Sequence, residues 1–220
     1  MALETVSLEH LPNSHKVYFA LFRDVQNAAF LHQQLLARNP QFEYAFIDAS
    51  VVSSARSTRL GYRAISINTE DHHQVVSRLQ LLSAVFKATS TAVNGVLRTP
   101  NIHSEIVCAM SSSNNIADAY RRYGISPSTK DLIVVKVTFP GEDSVEPLTH
   151  DQIWEHLKTN VEGEALSITD DQISTTTDVP KVRKYYKLNG LKWMDDIQDE
   201  KVKQKEIESL VIGAMALRGV

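Results

Sequence analysis

The apolar positions of this chain alternate between short strand-like runs and longer helical stripes. Residues 15–22 (HKVYFALF) form one run after the turn signal of Pro12 and Asn13. Residues 42–48 (FEYAFID) form a second, with Phe42, Tyr44 and Phe46 on one side and Glu43 and Asp48 opposed. Between them Ala28, Leu31 and Leu35 share a helical face, with Asp24 or Asn27 as cap and Asn39 and Pro40 as stop. The stretch 74–94 predicts the longest helix, closed by Gly95. Val75, Leu79, Leu82, Phe86 and Val93 line one face of it, and Leu81, Ala84, Val85, Ala88 and Ala92 another, the pattern of a centrally buried helix.

The segment 98–139 reads as strand, helix, strand. Residues 105–110 are a short apolar run and 132–139 (LIVVKVTF) a β-branched one, as in buried strands. Asn115 can cap the helix between them, Asp118 suits its positive first turn, and Ile116, Ala119, Tyr120 and Tyr123 share a face. Gly124 then supplies a left-handed end. Further on, 141–147 is an acidic turn and Thr149 with Gln152 has the spacing of a capping box, before Ile153, Trp154 and Leu157 turn to the core. Residues 161–177 predict a short strand plus loop. Asp178 and Pro180 open a helix to Leu188 with Val182, Tyr185 and Tyr186 inward, and 205–217 forms the last helix. The expected fold is α+β: one domain over 1–220, a mixed β-sheet flanked by helices, a central strand–helix–strand unit and a C-terminal helix. Longer connections fall near 53–73 and 189–204.

Composition narrows the function classes. A 220-residue chain with 43% hydrophobic and 22% charged residues can bury a full core. Lys plus Arg number 23 against 26 Asp plus Glu, a net charge of −3, so any nucleic-acid contact needs a local basic patch. The single cysteine, Cys108, forms no internal disulfide and fits a reducing compartment. The N-terminal residues lack a secretory signal's basic and apolar regions, and 79–97 is too polar to span a membrane. A soluble intracellular protein is expected.

Catalytic and metal-binding patterns are incomplete. His103 and Glu105 have the H-x-E spacing of zinc deaminases, but that chemistry also needs two thiolates from a P-C-x-x-C motif. On a strand the two would share a face as a hydrogen-bonded pair. Cys108 sits in an apolar run and reads as core rather than nucleophile. His72 and His73 have no second ligand cluster, and no phosphate-loop, nucleophile-elbow or dinucleotide fingerprint is present. The turn 111–115, ahead of a helix start, could hold an anion or simply cap the helix. No catalytic residue, metal or cofactor is expected.

Two features suit binding. In the last helix Ile207, Leu210, Val211, Ala214, Met215 and Leu217 fill an arc of about 160°, and Ile212 and Ala216 extend it. Either the helix is sandwiched within its own fold, or its second face meets a partner. Arg121 and Arg122 point away from the apolar face of their helix. Arg98, Lys181, Arg183, Lys184 and Lys187 could join them if the fold allows, and Arg56, Arg59 and Arg63 form another strip. Such charges can equally be a solvated face.

The order of RT, SEIV, SSSNNI and RRYGI within 98–125 resembles the kinase-binding subunit of the KEOPS/EKC complex, the TPRKB family. ALFRDVQNAAFL at 20–31, VRKYYKL at 182–188 and LVIGAMALRGV at 210–220 extend the resemblance in order over nearly the whole chain. It implies a non-catalytic subunit that supports threonylcarbamoyladenosine modification of tRNA in nucleus and cytoplasm, with a family association with telomere maintenance. The partners implied are an atypical small protein kinase, the tRNA acceptor end and, indirectly, the threonylcarbamoyltransferase subunit, with no membrane. On this footing Ile212, Met215 and Ala216, then Leu210 and Leu217, are expected to face the kinase. Arg98, Arg121, Arg122, Lys181, Arg183 and Lys184 are expected to face RNA. The alternatives are a stand-alone RNA-binding module or a small hydrolase or transferase using the 111–115 turn with His103.

Overall fold

The structure is a computed structural model and describes residues 2–9, 11–12, 14–52, 78–140 and 146–218. Its centre is a pair of antiparallel strands, β2 (Lys16–Arg23) and β4 (Leu132–Thr138), in register from Lys16 opposite Thr138 to Phe22 opposite Leu132. The edge of β4 away from β2 pairs with β3 (Ala45–Asp48), Ala45 lying opposite Val135. The free edge of β2 is shared: β1 (Leu3–Val6) covers Val17 to Ala20, and β5 (Glu164–Leu166) covers Leu21 to Arg23.

All pairings among the described strands are antiparallel, so the expected mixed direction is not found. Helix α1 (Ala28–Leu36) carries the chain from β2 to β3, and both strands pair antiparallel with β4. Because β4 lies between them, the two strands that share a direction never become neighbours.

Alternation along the central strands makes two cores. Tyr18, Ala20 and Phe22 with Leu132 and Val134 meet α1 and α5 (His150–Asn160). Val17, Phe19 and Leu21 with Ile133, Val135 and Val137 meet the other layer. That layer holds α2 (Leu79–Val93), α3 (Ile102–Ala109), α4 (Ile116–Tyr123), α6 (Asp170–Thr176), α7 (Val179–Tyr185), α8 (Lys192–Asp195) and α9 (Glu200–Ala216). With helices on both sides the inner strands are apolar on both faces over Val17–Phe22 and Leu132–Val135, and each fully buried Phe or Leu stabilises by about 1.5–3 kcal/mol.

The central unit is helix–helix–strand, not strand–helix–strand. Residues 105–110 belong largely to α3, whose Asn101 cap accepts from the Ser104 N–H at 2.8 Å. Ile102, His103, Glu105, Ile106, Val107, Cys108 and Ala109 are all buried. A short helix surrounded by protein shows no polar face, so its sequence reads like a buried strand. Gly124 is extended rather than left-handed, at φ −75 and ψ 166. It is needed for space, since a Cβ there would stand 2.7 Å from the Tyr120 carbonyl oxygen.

Other boundaries move for local reasons. Pro40–Phe42 forms a 3-10 turn capped by Asn39, which delays β3 to Ala45. Asn27 makes no side-chain cap; its amide donates to Asn160 O at 2.8 Å and its oxygen accepts from Glu162 N at 3.1 Å. The region 161–177 contains α6 as well as β5. The expected connection at 189–204 contains α8 and, after the Asp199 cap, the start of α9. The connection at 53–73 and the first residues of the expected 74–94 helix lie outside the described residues.

Candidate partner and nucleic-acid surfaces

Helix α2 is apolar on two sides, and among the described residues only one is fully covered. Leu81, Ala84, Val85 and Ala88 are fully buried, whereas Leu79, Phe86 and Val93 are 40%, 40% and 50% exposed. These three recur at seven-residue spacing, two helical turns, and so lie on one face, with Leu82 between the first two half-buried against the core. The expectation of a centrally buried helix is thus corrected: among the described residues the second face is left partly exposed. Helix α9 packs against α2. The Lys87 ammonium of α2 donates to the carbonyls of Met215 at 3.0 Å and Arg218 at 3.2 Å, closing the C-terminal end of α9 where cations are favoured.

The five residues singled out on the last helix divide. Met215 is 3% exposed and packs into the protein's own core with Ile207 and Val211, so it offers no surface to a partner. Ile212 and Leu210 are half-buried, while Ala216 and Leu217 are exposed. The apolar stripe of α2 was the part the sequence reading missed, although its second face was the signal.

The basic residues also divide. Arg121 and Arg122, in the last turn of α4, meet Lys181 and Lys184 of α7 around two adjoining cavities. Asp118 pairs with both arginines, 2.8 Å from Arg122 Nε, and the two guanidiniums hold its carboxyl below the usual range. The Arg122 guanidinium lies 5.3 Å over the Tyr185 ring. Lys181 Nζ donates to Asp48 at 2.8 Å and to Ser50 Oγ at 2.7 Å. Lys187, which the sequence had offered as a further candidate, and Lys130, which it had not, complete the surface.

Arg98 and Arg183 are engaged elsewhere. The Arg98 guanidinium donates to Asn114 Oδ1 at 3.2 Å, at the opposite end of α4 from Arg121. Arg183 pairs with Asp195 at 2.7 Å and braces α8 on α7. Tyr186 is core: its hydroxyl donates to Met110 O and accepts from Gln80 at 2.9 Å, while Tyr185 is half-buried beside the cavities.

The sequence matches the family described as kinase binding protein CGI-121 over residues 22–74 and 70–219. The chain belongs to this kinase-binding family. It is 80% identical over 220 residues to the EKC/KEOPS complex subunit CGI121 of Gibberella zeae, covering 100% of both chains. It is 44% identical to the corresponding subunit of Neurospora crassa, again over 100% of each. The subunit of Aspergillus fumigatus is 42% identical over 100% of this chain and 98% of that protein.

In this kinase-binding protein the residues that resembled chemistry hold the framework. His103 Nε2 accepts the Val137 N–H at 3.1 Å, which assigns its proton to Nδ1, 3.6 Å from Glu43. Burial pushes its pKa down. Glu105 does not pair with it; on a helix two residues apart they diverge, and Glu105 accepts from Thr99 Oγ1 at 2.8 Å and Arg98 N at 3.2 Å. Burial lifts the Cys108 thiol to about 11, leaving it protonated at neutral pH. In the 111–115 turn Ser111, Ser113 and Asn115 each accept a backbone N–H of the same segment or of α4. Among the described residues there is no group of three or more His, Cys, Asp or Glu able to hold a metal. No described helix is long and apolar enough to cross a membrane, and His72 and His73 lie outside the described residues.

Proposed function

We propose that this protein is a non-catalytic subunit of an EKC/KEOPS complex, binding the complex's small atypical protein kinase through α2 and α9. The observation that carries the reading is the partly exposed stripe Leu79, Phe86 and Val93 beside α9, in a chain whose family is defined by kinase binding. Exposed apolar side chains aligned along one helix face are costly in water and suit a protein partner. The relatives are named as subunits of that complex, which supports the same membership here. The subunit would support threonylcarbamoyladenosine modification of tRNA, in nucleus and cytoplasm. The basic surface on α4 and α7 would hold the tRNA acceptor end while the threonylcarbamoyltransferase performs the chemistry. A part in telomere maintenance belongs to the same proposal.

The test is retention of the cognate kinase by the purified protein. Phe86→Asp and Ile212→Asp each weaken retention at least about tenfold, roughly 1.4 kcal/mol, with circular dichroism unchanged. Full retention by both folded variants removes this helix pair from the interface.

A further inference from the structure

Helix α1 lies on the other side of the sheet from α2, α4, α7 and α9, apart from both surfaces described above. Its inner side packs in the usual way, with Ala28 and Leu31 buried and Leu35 half-buried on the core beneath. Its outward side is unusual. At 3.6 residues per turn Ala29, Phe30, Leu36 and Ala37 all fall within about 60° of Gln33, so the five make one face. Every one of them is exposed, Phe30 by 41% and Leu36 by 70%. The Phe30 ring is held edge-on to Phe42, with centroids 5.6 Å apart, so this face is already ordered.

A solvated helix face ordinarily carries charge, and 22% of this chain is charged. Residues 25–37 nevertheless contain no Asp, Glu, Lys or Arg. Charge returns at the two ends with opposite signs, as Asp24 before the helix and Arg38 after it. Both are exposed, and neither makes an ion pair among the described residues.

We propose that this face pairs with the same face of a second copy of the chain, the two α1 helices running antiparallel about a two-fold axis at Gln33. Phe30 of one copy then meets Leu36 of the other, and Ala29 meets Ala37, as an isologous contact requires. The alanines let the helix axes approach. The two Gln33 amides meet on the axis, where each carbonyl accepts from the other's NH2 group, a central polar pair of the kind that fixes register between helices. Arg38 arrives four residues, about 6 Å, from Asp24 of the other copy, within the reach of its side chain. Parallel pairing would instead set Asp24 against Asp24 and Arg38 against Arg38, so the end charges select the antiparallel arrangement. Helix α1 spans only about 14 Å, so the contact is smaller than a standard interface and weak. Because it uses the other layer, a pair of copies carries two sets of the α2 with α9 and α4 with α7 surfaces, all open.

The experiment is sedimentation equilibrium of the full chain from about 10 µM to 1 mM, where a weak contact of this size registers. A monomer–dimer equilibrium is expected, and Phe30→Asp should weaken it at least about tenfold. Asp24→Arg alone and Arg38→Asp alone should each weaken it, and the two together should restore it, which damage to the fold would not do. Gln33→Cys should form a disulfide between copies under mild oxidation, since the axis sets each thiol against its own counterpart and the native Cys108 is buried. Lys201→Cys, exposed on the other layer, should not. A chain that stays monomeric throughout, with Gln33→Cys linking no faster than Lys201→Cys, overturns the proposal. A dimer indifferent to Phe30→Asp lies on another face and overturns it as well. Association that needs Phe30 but does not recover on charge exchange overturns the antiparallel arrangement. A monomeric parent whose Phe30→Asp variant loses another subunit from the purified complex gives the face to that subunit and overturns the pairing of copies.

Discussion

Glu208 sits on the inner side of α9, 4% exposed, near Asp170 of α6. Burial and, second, the neighbouring Asp170 carboxylate raise its pKa from 4.5 to about 8, while Lys205 opposes them weakly. The folded state therefore binds a proton that the unfolded state gives up between these values. The associated stability is complete below pH 4.5 and lost as pH rises through 8. Glu208→Gln should abolish this loss. In thermal unfolding the variant should gain on the parent as pH rises from 5.5 to 8.5, by about 2–4 °C for each kcal/mol recovered. An equal difference at both pH values would refute the assignment. His103 acts in the opposite sense, its burial favouring the neutral ring, so it erodes stability as pH falls below its ordinary 6.5. Neither effect was legible in the sequence. Nothing in the spacing of the last helix singles out Glu208, and its neighbour Asp170 lay in a stretch read as a short strand plus loop.

At the scale of elements, legibility follows how local the decisive interaction is. The box of Thr149 and Gln152 is complete, because both bonds lie within four residues. Strands β2 and β4 were readable because their apolar runs are long, that of β4 interrupted at Lys136 alone before Thr138. Helix α3 was not, since the layers around it remove the polar face that reveals a period. Helix α2 exposes a subtler limit: two apolar faces along a helix do not say how far its own chain covers each of them. Gly124 is the element-level position whose role changed most. Its N–H ends α4 on Tyr120 O at 2.9 Å, and Ile125 N then donates to Phe46 O of β3 at 3.1 Å. A methyl group must push this junction apart. Gly124→Ala should destabilise the fold by about 1–3 kcal/mol, read as a lowered denaturant midpoint. An unaltered midpoint would mean that the junction yields freely.

Across the whole molecule the apolar stripe and the basic groove are built by different helices, α2 with α9 and α4 with α7. The groove joins Lys130 to Arg121 and Lys181 through tertiary folding, which spacing along the chain does not encode. The same geometry excludes Arg98, because the length of α4, roughly 12 Å, separates Asn114 from Arg121. The two surfaces should fail independently. Arg121→Glu with Arg122→Glu should lower tRNA affinity in a salt-dependent way and leave kinase retention intact, while Phe86→Asp does the reverse. Loss of both activities in either variant would show that the surfaces are one.

The Lys87 clamp on the end of α9 has a kinetic consequence. At the proposed interface, by holding α9 against α2 before a partner arrives, it would spare the encounter the ordering of two loose helices. Docking can then proceed as a collision between preformed bodies, its rate set by orientation rather than by folding at the surface.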